Sequence, residues 1–281
     1  MSTNNINIGI VGHGFVGKAV EFGFQDQVLS IVDKRYDSTV RDILGDDLNL
    51  SAVFVCLPTP TGLDGDIDTS IVEDALRELS VLKCPIILKS TVIPSVVKKF
   101  AELYENFVYN PEFLTEANAR IDFVNPPMHV FGGTEEYCQI VSNLYKNYSL
   151  CKKNVPEYWM LAEEASLVKY SMNSFLALKV SFWNQIKELA DEHGIDYNFV
   201  ADVVGTDPRI GHSHMSVPGP DGRRGYGSAC FAKDIPALIH FADGGLSILK
   251  ESWNYNCDVR NQYKDLLPRE QEQHVQFRKI Q

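Results

Sequence analysis

Residues 6–24, "INIGIVGHGFVGKAVEFGF", decide the fold. An apolar, β-branched run stops at Gly12, glycines then recur as G-x-G-x-x-G, and helical apolar spacing follows. That is a strand, a tight turn and a helix, the order a dinucleotide-binding unit requires. Gly12 makes the turn, Gly14 lets backbone approach a pyrophosphate, and Gly17 allows close helix–strand packing. His13, Phe15 and Val16 complete the candidate cofactor turn. Asp33 ends the next apolar run, about 20 residues on, where a ribose-binding acid belongs. An acid there repels a 2′-phosphate, so NAD is the expected cofactor, although Lys34 and Arg35 blur the preference over NADP. Without the flanking strand, helix and acid, the same glycines would be an ordinary turn.

Working outward, "VLSIVD", "SAVFVCLP", "PIILKST", "FVYNP" and "MHVFGG" are further candidate strands. Helical patterns lie between them in "IVEDALREL", "SVVKKFAEL" and "EEYCQIVSNLY". Alternation of this kind predicts an α/β fold, a Rossmann-like doubly wound parallel sheet, with ligands at the carboxyl ends of its strands. "LPTPTG" and "KSTVIP" each follow a strand, which puts Pro58, Thr59, Ser90 and Thr91 on that edge. Their hydroxyls are candidates to reach a cofactor or an ordered water; ordinary turns and helix caps explain them equally well. In "NPEFLTE", Glu112 and Glu116 share a helical face if a helix starts at once, or they are a solvated helix start.

From Pro156 the pattern becomes one long helical run, with Pro156 expected in its first turn and Gly194 just past its end. A helix that long has more apolar face than one small domain can bury, so it is expected to pack on another subunit or bridge two lobes. The expected division is 1–155 as the cofactor domain, 156–255 as an α-helical domain built on the long helix, and 256–281 as a C-terminal tail whose polar end, residues 268–281, is expected to fray. Lys169 and Asn173, four apart, either serve a developing oxyanion or form a solvated helix face.

In "GYGSACFAKD", Cys230 follows a glycine-lined turn and precedes Lys233 and Asp234. Backbone N–H groups and a cation favour a nucleophilic thiolate; a cysteine acting as a small buried hydrophobe is the other reading. A thiolate beside an NAD site suggests a definite chemistry. An aldehyde has no alkoxide to expel hydride, but its thiohemiacetal does, and oxidation then gives a hydrolysable thioester.

The totals bound the rest. The formal net charge of −11 over 281 residues argues against a phosphate-backbone binder. No stretch has the apolar length of a membrane span, and the start has no basic leader, so no membrane partner is expected. Six scattered cysteines read as reduced thiols in a cytoplasmic protein, with no metal site.

Taken together, "GHGFVG", "LPTP", "STVIP", "YNPEFLTE", "VKYSMNSFLALKVSFWNQI", "DPRIG" and "GYGSACFAKD" resemble the UDP-glucose/GDP-mannose dehydrogenase family in order and approximate spacing, from the N-terminus to about Ala242. The resemblance is strongest to members that oxidise UDP-glucose. It implies two NAD-dependent oxidations at C6 of a UDP-sugar, through a thiohemiacetal and a thioester, giving a product that feeds surface polysaccharides. It implies Cys230 as nucleophile and Lys169 and Asn173 as oxyanion partners. Asp234 and Thr91 would place water or assist proton transfer, Glu112 would assist thioester hydrolysis, and Glu116 would lie near the cofactor. Lys233, Phe113, Leu114, Tyr226 and Gly227 would hold the sugar nucleotide, and Arg209 would reach a neighbouring subunit's substrate in a homodimer built on the long helix.

The chain departs from the family pattern at Ser228, Ser166 and Asn184-Gln185, and "PPMHVFGG" lacks the usual arginine. It is also expected to lack the family's second Rossmann-like domain. Alternatives are a dehydrogenase of GDP-mannose or a UDP-N-acetyl sugar, a non-catalytic NAD-binding module, or half of a split enzyme.

Overall fold

The computed structural model describes residues 6–45, 48–62 and 65–281; the polar start at residues 1–5 lies outside them. The opening stretch forms β1 (Ile8–Val11) and α1 (Phe15–Phe24). There follow β2 (Val28–Val32), β3 (Ala52–Val55), α2 (Ser70–Leu79), β4 (Ile86–Leu88), α3 (Pro94–Leu103), β5 (Phe107–Tyr109), α4 (Ala119–Val124), β6 (His129–Gly133), α5 (Glu135–Tyr148) and β7 (Glu157–Met160). All seven strands join one sheet in the order β2-β1-β3-β4-β5-β6-β7.

Strands β1 to β5 pair in parallel, which is the expected doubly wound arrangement. β6 runs antiparallel to β5 and β7 parallel to β6, so the connection through α4 returns on the edge where β5 ends. Helices cover both faces, and β1, β3, β4 and β5 are therefore buried throughout. Alternate residues separate cleanly: Val53 and Val55 join the layer with Val72, Leu76 and Val97, while Ala52 and Phe54 join Val20, Phe24 and Val141.

Packing divides the chain into two compact units, Met1–Thr59 with Asp68–Lys169, and Pro60–Ile67 with Tyr170–Gln281. The long helix α6 (Ala162–Glu192) gives its first turns to the first unit. The reason is close contact: a Cβ on Gly132 would stand 2.8 Å from both Ala162 Cα and Ala165 Cβ. The second unit adds α7 (Tyr197–Gly205), α8 (Phe231–Phe241), α9 (Ser247–Arg260) and α10 (Pro268–Glu272). Trp183, Tyr197, Met215 and Val217 form one of its apolar clusters.

Three expectations are corrected. Pro156 does not open the long helix: its carbonyl accepts the His129 N–H at 2.8 Å and starts the β6–β7 ladder, a strand-start position proline tolerates. "NPEFLTE" starts no α-helix, so Glu112 is buried while Glu116 is exposed, and the two share no helical face. The polar tail is packed, not frayed. Trp253 Nε1 donates to the Arg278 carbonyl at 2.8 Å, Phe277 stacks on the Trp253 ring, and Glu270 is fully buried.

Candidate active site

The carboxyl ends of five parallel strands deliver the predicted residues of the first unit to one edge. β1 runs into Gly12, β2 into Asp33, β3 into Pro58 and Thr59, β4 into Ser90 and Thr91, and β5 into Glu112.

At the glycine turn, Gly12 has φ +89°, and a Cβ there would lie 2.5 Å from the Cys56 carbonyl oxygen. Only glycine fits both constraints. At Gly14, where α1 begins, a Cβ would meet nothing within 4 Å, which leaves the backbone open to a ligand. Phe15 and Val16 are half-buried in the first turn of α1. Asp33 accepts the His13 N–H at 2.6 Å and the Arg35 N–H at 2.9 Å, which ties the glycine turn to the end of β2. The Arg35 guanidinium also folds onto this carboxylate, at 2.7 and 2.8 Å, and bonds the His13 carbonyl. Arg35, helped by both backbone N–H groups and opposed by burial, holds Asp33 well below the usual carboxylate range. A conformationally required glycine turn, an open helix start and a charged acid at the next strand end fit a dinucleotide. Gly12 to Gly17 would hold its pyrophosphate and Asp33 its ribose.

The hydroxyls after β3 and β4 do something sequence reasoning did not anticipate. Thr59 Oγ1 donates to the Thr91 carbonyl at 3.0 Å, and Ser90 Oγ donates to the Leu57 carbonyl at 2.6 Å. They fasten the two turns to each other. Thr91 itself is buried, and Pro58 is exposed.

Glu112, after β5, is buried; one oxygen accepts the Leu114 N–H at 2.6 Å and the other lies 3.2 Å from Lys169 Nζ. The Lys169 ammonium stands 5.5 Å from the centre of the Phe113 ring. Glu112, Phe113 and Leu114 line a cleft with Lys89, Asn110, His129 and Tyr145. Sequence reasoning missed these last four. Lys89 is buried and donates to Asn110 Oδ1 at 2.9 Å, and Tyr145 donates to the same oxygen at 2.8 Å. Burial pushes the Lys89 ammonium down to about 8 and His129 down to about 4. The only signal for them was position, since Lys89 and Asn110 open the motifs "KSTVIP" and "NPEFLTE".

In the second unit, Cys230 is half-buried and caps α8, its carbonyl accepting the Asp234 N–H at 2.9 Å. Asp234 is buried between two donors: Asn173 Nδ2 at 2.8 Å and Lys233 Nζ at 2.5 Å. Tyr226 turns into the core against Phe231 and Trp253, and Gly227 lies against Glu270 and Arg260. Arg209 is largely exposed and pairs with Asp207 at 2.6 Å. None of the six cysteines is in a disulfide. Among the described residues no helix is long and apolar enough to cross a membrane.

Comparison with known proteins supplies the family. The model described as "UDP-glucose/GDP-mannose dehydrogenase family, NAD binding domain" matches residues 21–149, and that of the same family's central domain matches residues 163–256. A UDP-glucose 6-dehydrogenase of Rickettsia bellii is 34% identical over 200 residues, 68% of this chain and 44% of that protein. The putative UDP-glucose 6-dehydrogenase YtcA of Bacillus subtilis is 32% identical over 234 residues, 78% of this chain and 51% of that one. The solved UDP-glucose dehydrogenase of Pyrobaculum islandicum superposes with a TM-score of 0.74 at 28% identity, covering 91% of this chain and 68% of that one. The chain spans about half the length of these two curated relatives.

Proposed function

Because the chain belongs to the UDP-glucose/GDP-mannose dehydrogenase family, with its NAD-binding and central domains, we propose that it oxidises C6 of UDP-glucose twice, giving UDP-glucuronate. The observation that supports this furthest is Cys230 at the start of α8, with Asp234 one turn on and held by Asn173 and Lys233. A thiolate at a helix start is favoured by the oriented N–H groups there.

NAD, when bound, supplies the hydride acceptor for both oxidations. Once the C6 alcohol has become an aldehyde, the Cys230 thiolate adds to its carbon, forming a C–S bond and an alkoxide. Lys169 and Asn173 supply N–H donors to that oxyanion, a contribution that grows as its charge develops. Collapse of the alkoxide expels hydride and leaves a thioester. Water then attacks the acyl carbon, Glu112 takes its proton, and the C–S bond breaks to return the thiolate and release the carboxylate. Thr91 and Asp234 place that water. Glu116 lies near the cofactor, and Lys233, Phe113, Leu114 and the loop with Gly227 hold the sugar nucleotide. Tyr226 acts there by shaping the loop, its ring committed to the core and both its backbone groups to Asn256.

A homodimer through α6 is part of the reading. That helix leaves Phe175, Phe182 and Leu189 exposed at seven-residue intervals, and α7 leaves Phe199 and Val203 exposed. Chains that stay monomeric seldom present such a face. Arg209 would then reach the partner's substrate. The cytoplasm is the compartment this chemistry calls for, since NAD and reduced thiols are found there.

The test is NADH formation from UDP-glucose and NAD by the purified protein and by Cys230→Ser. Two NADH per sugar over many turnovers, with turnover lost in the variant, is the expected result. Activity with GDP-mannose or a UDP-N-acetyl sugar alone would move the substrate. Silence with all of them would sink the self-sufficient enzyme in favour of an NAD-binding module or half of a split enzyme.

A further inference from the structure

The last helices of the chain hold the loop that leads to Cys230. Arg260, at the end of α9, and Glu270, in α10, have side chains with 0% exposure and pair at 2.5 Å. The same Glu270 oxygen accepts the Ser228 N–H at 3.3 Å, and its second oxygen accepts the Leu267 N–H at 2.8 Å. Arg260 extends the clasp to Asp221 at 2.7 Å. The pair lies flat on the loop: a Cβ on Gly227 would be 2.1 Å from Glu270 Oε1 and 2.4 Å from Arg260 Nη2. On α9, Asn256 grips both backbone groups of Tyr226, accepting the N–H at 2.7 Å and donating to the carbonyl at 2.9 Å.

Tyr226, Gly227 and Ser228, four to two residues before the cysteine, are thus each met by a buried polar side chain. Ser228 has φ +65°, a left-handed conformation that a non-glycine residue keeps only where its surroundings over-determine it. A buried ion pair is a poor source of stability compared with apolar packing of the same volume, so stability alone is a weak reason for this one. Its geometry relative to the loop is the better reason.

We propose that Arg260 and Glu270 are positioning residues for Cys230, acting through the backbone of residues 226–228 to fix how the thiol is presented at the start of α8. The proposal rests on Cys230 being the nucleophile, and it extends the working machinery to the chain's final segment.

The test uses the full chain with Glu270→Gln, which keeps the side chain's volume, and Arg260→Lys, which keeps the charge but loses the fork. Cys230 alkylation by iodoacetamide is followed against pH by mass spectrometry of its peptide, with amide exchange of residues 226–230 alongside. NAD binding by calorimetry reports whether the first unit is intact. In both variants the alkylation profile should shift and exchange of the loop should rise, while NAD affinity stays unchanged. kcat should fall about 10²-fold, the usual consequence of misplacing a reacting group by about an ångström, with KM held. Unchanged alkylation and exchange in a variant that binds NAD normally would overturn the proposal. So would an equal rise in exchange across the whole second unit, which marks general loosening. If the wild type makes no NADH with any sugar nucleotide and yet the variants shift Cys230 alkylation, the proposed reaction fails and the clasp stands.

Discussion

Asn173 donates from its side-chain amide to Asp234 at 2.8 Å, across 61 residues of sequence, and Lys233 takes the other carboxylate oxygen at 2.5 Å. Asp234 has 1% exposure and Lys233 has 9%, so both charges depend on this arrangement for their solvation. Removing one member of a buried pair leaves the other uncompensated, at a cost of about 3–5 kcal/mol. Asp234→Asn is therefore expected to lower stability toward urea by about that much. Asn173→Ala leaves only one oxygen short of a donor, and about 1–3 kcal/mol is expected. A loss in Asn173→Ala as large as in Asp234→Asn would show that the amide, not the ammonium, holds the carboxylate.

Lys89 makes a second prediction, about pH. Its ammonium is held at about 8 by burial against an ordinary value of 10.5. Between those two values the unfolded chain binds a proton that the folded chain has released, so this group makes stability rise with pH across that window. Below about 8 both states are protonated and its full cost is present. Lys89→Met should remove the cost and flatten that part of the profile, with Tyr145 still donating to Asn110. Chemical denaturation at several pH values between 7 and 11 checks it; parallel curves for wild type and variant would contradict it.

The cofactor half of the site was legible because its signals are local. A β-branched run, three glycines and an acid at the next strand end are fixed by spacing along the chain, and β1, α1, β2 and Asp33 fall where that spacing put them. What was not legible depends on partners far apart in sequence. Nothing near Glu112 announces Lys169, 57 residues on, and the polar composition that marked residues 268–281 as a frayed end hides Glu270, which forms a buried charge pair with Arg260. Pro156 misled for a related reason. The first position of a helix and the first position of a strand both suit proline, and the β6 ladder, invisible in the local sequence, chose the strand.

Asp33 and Arg35 carry the last prediction. The acid is the residue that would hold the cofactor's ribose, and in this structure Arg35 and the His13 N–H already occupy it. Asp33→Ala therefore does two things: it deletes the ribose partner, and it frees a guanidinium at the place where a 2′-phosphate would sit. Loss of a hydrogen bond to a charged group costs about 1.5–3 kcal/mol, so NAD should bind about tenfold to a hundredfold more weakly. NADP should lose far less, because the repelling charge has gone and Arg35 can meet its phosphate. Calorimetric titration of both cofactors against wild type, Asp33→Ala and Asp33→Ala with Arg35→Ala separates the effects. The double variant should bind NADP more weakly than the single one. Equal losses for NAD and NADP in Asp33→Ala would mean that the acid serves the glycine turn through His13 and does not read the ribose.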